Sequence, residues 1–320
     1  MQALGVDKRL PVRAGRARKH GAGGWIKKYA PIYLFMVPTF ALLIGFTYYP
    51  IGSALFHAFY RWDGVNKAFV GLRNFEQMFT IDPNFVSSLG NVLRLTVFRV
   101  VVAMTIPLVV AEVLFNMRNK HMAYIWRVIL VVPMVVPSVV LILVWVFIYD
   151  PQMGVLNTLL TLVGLENLKQ IWLGDARLAL WCIAFFNFPW VSGLNLLIYI
   201  AGLDAISPEL FDAAAIDGAS RLRRVFSVDI PMIMGQFKLI FIMTIITQLQ
   251  NFQDVLIFTR GGPGQATYVP GLVLYQSAFL YNKMGYASAI GVFLFVVIFT
   301  ISVINMRLIR SSVEYVPEAE

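Results

Sequence analysis

The sequence predicts an all-α polytopic membrane protein of six transmembrane helices with both termini in the cytoplasm. Three observations carry that class. Hydrophobic residues make up 59% of the 320 and charged residues only 13%, where a soluble chain carries about 25% charged residues. Six apolar runs are each long enough to cross the hydrocarbon, for which about 20 helical residues suffice. Lys and Arg fall unevenly on the segments joining those runs, seventeen on one side and nine on the other, and the richer side faces the cytoplasm. The net charge of +9 is therefore a topology signal. Its cations flank apolar runs instead of gathering on a soluble domain, so no nucleic-acid partner is expected. Cys182 is the single cysteine, and His20, His57 and His121 are dispersed. They exclude an intramolecular disulfide and supply neither a metal cluster nor a nucleophile–base set, so no metal site and no catalytic residue are expected.

In chain order, residues 1–28 form a basic tail with eight Lys or Arg against Asp7, expected to be disordered or loosely held on anionic lipid. A cleaved signal peptide is not expected, because the next apolar run is too long and lacks an evident small-residue cleavage site. The six-span domain covers 29–310. Its first span, 33–51, holds Pro38 and Pro50, set to kink or end it. The second, 91–117, carries Arg94 and Arg99 in its first turns, read as snorkelling to the interface. Glu112, near its far end, is read as facing protein or water. The third, 128–149, contains Pro133 and Pro137 and is predicted to bend. The fourth is 178–202, with Pro189 inside, the fifth 236–258 and the sixth 286–306. Residues 311–320 are a short cytoplasmic tail.

The loop 203–235 is the one long stretch dense in both acid and base. Within it, SPELFDAAAIDGASRLRRVFSVDIP (207–231) reads as two short helices with a glycine elbow. Ser207 is an N-cap candidate and Pro208 sits at the first helical position. Glu209 and Asp212 lie near the positive end of the helix dipole. Ala213, Ala214 and Ala215 favour helix, and Gly218 can take the left-handed conformation that closes it. Ser220 can cap a second helix, with Leu222, Val225 and Phe226 on one face, until Pro231 interrupts it. On these features alone, an amphipathic hairpin lying on the membrane surface is the competing reading.

DAAAIDGA followed ten residues later by IP closely resembles the EAA loop of ATP-binding-cassette importer permeases, with the leading Glu replaced by Asp212. The resemblance implies that this loop is the coupling helix that docks in a cleft of a cytoplasmic ATPase, through Asp212, Ala213, Ala214, Asp217, Gly218 and Ala219. RWDGVNKAFVGLRNFEQMF (61–79) and TRGGPGQATYVPGLVLYQSAFLYNKMGYASA (259–289) are similar to the external segments of the maltose-type carbohydrate branch. The resemblance spans roughly residues 31 to 309.

That family implies an ATP-driven importer in the bacterial cell membrane. It pairs this chain with a second, homologous permease as a heterodimer, with two ATPase subunits, an extracytoplasmic solute-binding protein and a carbohydrate substrate. The chain has no GxxxxGK[ST] phosphate loop, so it is not expected to be an enzyme. It needs no cofactor of its own, and ATP and magnesium belong to the partner ATPase. The sugar is expected to meet Asn187 and Trp190 in the fourth span and Thr244, Thr247, Gln248 and Asn251 in the fifth. The latter four have the i, i+3, i+4, i+7 spacing of one helical face, and both sets fall near mid-membrane. The bland alternative is that these amides join helices to one another. Asp254 is read as pairing with Arg260 or lining the mouth. A secondary transporter or channel for a small polar solute, and a permease of the same family for a non-sugar substrate, are the competing functions.

Overall fold

A computed structural model describes residues 22–308. The basic segment 1–21 and the tail from 309, with their share of the charge asymmetry, lie outside the described residues. The rest is mostly helical, and the one sheet among the described residues is a two-stranded hairpin. Three helices are individually long and apolar enough to cross a membrane: Ile32–His57, Pro83–Phe115 and Met284–Arg307. Three further helix pairs pass that test only together, bent by 93°, 71° and 69°. The chain divides into two compact units at Ser53.

The first unit is helical from Ala22, inside the stretch read as a tail. Pro50 does not stop it. Proline lacks an N–H and its ring collides with the carbonyl four residues back. The chain absorbs both faults in a π turn, Ile44–Tyr48, whose wider ring ends with the Tyr49 N–H donating to the Ile44 carbonyl. The helix then continues as Tyr49–His57. Pro231 is passed in the same way, by the π turn Val225–Asp229 and the segment Ile230–Met232.

The second unit is organised on Pro83–Phe115, a 33-residue helix about 50 Å long at 1.5 Å per residue. It begins eight residues before the predicted second span. Asp82 accepts hydrogen bonds from the Asn84 and Phe85 N–H groups at 2.9 and 3.2 Å, and Pro83 takes the first helical position. That start signal is polar, so an apolar count passes over it. The hairpin Tyr60–Trp62/Lys67–Phe69 precedes it. There the Asp63 carboxylate accepts from the Val65 and Asn66 N–H groups, which holds it below the usual carboxylate range.

Against the long helix pack Gly193–Asp204, Met234–Gln250 and Pro270–Phe279. The last lies inside the stretch read as a connecting segment. It is a helix with Pro270, Gly271, Leu272, Val273, Ser277 and Ala278 buried. The predicted bend of the third span is present: Lys120–Val131 gives way to a tight turn over Val132–Val135, then Ser138–Ile148. Three apolar clusters fill the unit. One, with Leu95, Ile142, Ile183, Leu249, Val255 and Leu272, surrounds the middle of the long helix. A second, with Ala111, Leu114, Leu196, Tyr199, Leu203 and Ile240, surrounds its C-terminal end. The third packs Ala58, Met78 and Phe85 against Tyr286 and Ile290 near its start.

Candidate functional site

Two places concentrate chemistry: the loop beyond the C-terminal end of the long helix, and a polar cluster at its midpoint.

The loop follows its local sequence closely. Pro208–Ile216 is a helix with Pro208 at its start. It ends at Gly218, whose φ is +70°. The Gly218 N–H donates to the Ala215 carbonyl at 3.1 Å and the Ala219 N–H to the Ala214 carbonyl at 2.9 Å, the paired bonds of a glycine-closed helix end. The Ser220 hydroxyl accepts from the Arg223 N–H at 3.3 Å and caps the second helix as predicted. Ser207 does not cap: its side chain makes no capping bond, and its carbonyl instead accepts from the Leu210 N–H. Asp212, Ala213, Asp217 and Gly218 are exposed, Ala214 and Ala219 partly so. Ile216, Leu222 and Phe226 are 86%, 69% and 65% exposed.

The root of the loop is buried. Asp229 is wholly inaccessible and its Oδ2 accepts from Arg224 Nε at 3.2 Å. Arg224 also donates to Asn116 Oδ1 at 2.6 Å and lies over the Phe211 ring at 5.0 Å. Asn116 Nδ2 in turn donates to the Glu112 carbonyl and carboxylate at 2.8 and 3.1 Å. Glu112 thus faces protein, as expected. The chain of contacts runs from the loop into the end of the long helix. Sequence reasoning passed over Asp229. The signal was available: one acid beside an arginine cluster, next to an apolar run that held its own lone acid.

At the midpoint, the structure departs from two continuous helices. The fourth run is Ala179–Phe185 and Gly193–Asp204, separated by an irregular stretch. Asn187 and Trp190 stand in that stretch with φ of 67° and 60°, so they do not share a helical face. Left-handed backbone is uncommon for a bulky residue and is held in place by its surroundings. Trp190 is fixed by edge-on contacts with Phe98, Phe185 and Phe188, at 5.6, 5.1 and 4.9 Å between ring centres. Its indole N–H is buried without a partner among the described residues.

The fifth run also breaks. Met234–Gln250 carries Thr244, Thr247 and Gln248, but Asn251 has extended backbone, φ −71° and ψ 128°, past the helix end. The single-face expectation therefore fails at Asn251. Its side chain competes with the helix for backbone partners: Oδ1 accepts from the Asp254 N–H at 3.4 Å, and Nδ2 donates to Asp254 Oδ2 at 3.0 Å. Thr247 spends its hydroxyl proton on the Met243 carbonyl. Gly271 lets the Pro270–Phe279 helix close on this break. A β-carbon there would stand 3.1 and 3.4 Å from the Gln250 and Asn251 carbonyl oxygens.

Asp254 pairs with Arg99 at 2.9 Å, and Arg260 is exposed. Arg99 therefore does not snorkel outward. It stands at the centre of the Pro83–Phe115 helix, and the same Nη2 donates to the Ile183 carbonyl at 2.9 Å. Leu95, Arg99, Ile183, Gln248, Asn251 and Asp254, with Val255 and Val269, enclose a cavity of about 10 Å³, room for roughly one water. Asn187 and Trp190 do not line it. Of the six residues expected to meet a sugar, the structure gathers Gln248 and Asn251 around Arg99 and sets Asn187 and Trp190 at a separate break. Arg99 was missed because it was assigned to a helix end. A lone arginine and a lone aspartate on different apolar runs are candidates for each other, since neither charge is stable there alone.

A polytopic helical protein with helices broken at a polar midpoint and a capped polar loop at one end belongs to the transport class of membrane proteins. The comparison with protein families is specific. Residues 103–315 match the binding-protein-dependent transport system inner membrane component, and the chain belongs to that family. It is accordingly a multi-pass membrane permease component, not an enzyme. The probable ABC transporter permease protein YurN of Bacillus subtilis is 33% identical over 88% of this chain and 97% of its own length. The diacetylchitobiose uptake system permease protein NgcF of Streptomyces coelicolor is 32% identical over 81% of this chain and 76% of its own. The crystal structure of a bacterial ABC transporter involved in the import of the acidic polysaccharide alginate has the same fold, with a TM-score of 0.80 at 20% identity. The match covers 90% of this chain and 98% of that one.

Proposed function

We propose that this chain is the permease subunit of an ATP-driven, binding-protein-dependent importer of oligosaccharides and forms half of the translocation pathway. The observation that carries the coupling is the Pro208–Ile216 helix: exposed, closed by Gly218, with the Asp212 carboxylate free of partners among the described residues. A helix whose C-terminal end is closed by its own backbone can dock on another protein without refolding that end. The loop 203–235 then lies in the cytoplasm with both termini, and the six spans are the three long helices, the bent run 120–148 and the broken runs 179–204 and 234–258.

Two ATPase subunits supply the energy and hold the ATP and magnesium. A second, homologous permease completes the pore, and an extracytoplasmic binding protein delivers the sugar. The diacetylchitobiose uptake named for one relative supports an oligosaccharide as cargo. Asn187, Trp190, Thr244, Thr247, Gln248 and Asn251 are the proposed contacts. Trp190 offers a ring face and an unpartnered N–H, and Gln248 an amide; sugars are recognised by such aromatic and amide groups. The test is purification through a tag on this chain, followed by reconstitution. The expected result is co-purification of an ATPase and a second permease, with sugar uptake that needs ATP and the binding protein. Uptake by this chain alone, driven by an ion gradient, overturns the reading.

A further inference from the structure

Arg99 and Asp254 are the unexpected occupants of the mid-membrane site. Their burial needs an explanation, because taking two charges out of water is costly before their attraction offsets it. Side-chain exposure is 18% for Arg99 and 11% for Asp254, so neither is a surface ion. A purely structural joint between helices could be made more cheaply from apolar side chains. Intramembrane ion pairs that persist are characteristic of substrate paths.

The geometry gives the pair a definite place. Arg99 Nη2 reaches the Ile183 carbonyl, at the end of the half-helix leading to Asn187 and Trp190. It also reaches Asp254 Oδ2, in the first turn of Gln253–Phe258, directly after the break at Asn251. Asp254 Oδ2 further holds the Asn251 amide. One guanidinium therefore ties both broken helices to the centre of the long one. The Gln248 amide borders the same cavity, which at about 10 Å³ is far too small for a sugar ring. A sugar can occupy this cavity only if the clasp opens.

We propose that Arg99 and Asp254 are substrate-contacting residues. The pair seals the site when it is empty, then parts as sugar enters. The Asp254 carboxylate accepts hydrogen bonds from two neighbouring hydroxyls, and the Arg99 guanidinium donates to sugar oxygens. The chemistry suits this: an ionised carboxylate only accepts, a guanidinium only donates, and a polyhydroxylated neutral sugar does both. Bonds to charged groups are also the stronger ones in a dry site. Entry of substrate then replaces one ion pair by hydrogen bonds of matching polarity, so neither charge is stranded. This inference rests on the importer reading above.

The experiment uses the reconstituted complex with its binding protein and radiolabelled diacetylchitobiose, arabinotriose and maltotriose, continuing with whichever the wild type takes up fastest. Asp254→Asn keeps the size of the side chain but replaces one acceptor oxygen by a donor, and Arg99→Lys keeps the positive charge but loses the planar fork of donors. The reversed pair, Arg99→Asp with Asp254→Arg, keeps the ionic joint but exchanges donor and acceptor. If the residues read the sugar, each single variant raises the apparent KM about tenfold or more, with Vmax within about twofold, and the reversed pair does not recover. If the reversed pair restores the wild-type KM, the residues are a joint only and the proposal is overturned. Single variants that lose assembly or Vmax at unchanged KM overturn it equally. Wild-type complex that takes up none of the three removes the importer reading first, and this one with it.

Discussion

The loop 207–231 and the breaks beside the midpoint of the long helix both interrupt helices, and they are held by opposite means. From Ser207 to Ser220 each determinant acts within five residues: Gly218 on Ala215, Ala219 on Ala214, Ser220 on Arg223. Much of that stretch is exposed. At the breaks, the holding group is remote. Arg99 reaches Ile183 across 84 residues and reaches Asp254 from a different helix. Such a difference suits the two tasks proposed for them. A surface that meets another protein keeps its shape without help from its own interior. A path through the membrane needs helices whose junctions can change partners together, which a shared charge provides.

The comparison can be broken most severely at the root of the loop, where local design gives way to burial. Arg224→Ala leaves the Asp229 carboxylate inaccessible and without its cation. The expected loss is about 3–5 kcal/mol, read as a lower melting temperature of the purified complex. A loss below about 1 kcal/mol, the range of an exposed ion pair, would mean that the Arg224–Asp229 contact does not hold the root of the loop.

Gly218→Val tests the tip. Nothing lies within 4 Å of a β-carbon at Gly218, so the cost is backbone conformation alone, about 1–2 kcal/mol. Uptake and substrate-stimulated ATP hydrolysis should fall while membrane insertion persists, and Gly218→Asn should keep much of both. Equal and normal coupling in the two variants would remove the glycine-closed helix from the mechanism.

The smallest effects separate the two serines. Ser220→Ala removes a capping bond and should cost about 1 kcal/mol. Ser207→Ala removes none and should stay within about 0.5 kcal/mol. Hydrogen exchange of residues 207–232 measures both. A larger effect at Ser207 would show that its capping bond forms when the loop is docked.

The sequence by itself determined the membrane class, the bend of the third span and the two short helices of the loop 207–231. Those depend on hydropathy summed over a turn or more and on residues acting on near neighbours. It also named residues that stand at the two breaks, because polar side chains in apolar runs are conspicuous wherever they point. It could not place the breaks. A proline in an apolar run reads as a stop, yet the π turns before Pro50 and Pro231 carry the helix through. Asn251, meanwhile, leaves its helix with no proline at all. The deciding facts were tertiary: the Asp254 charge below Asn251, the Arg99 guanidinium that holds it, and the close approach allowed by Gly271. Helical periodicity cannot announce them, because a buried charge takes its position from whichever distant group neutralises it.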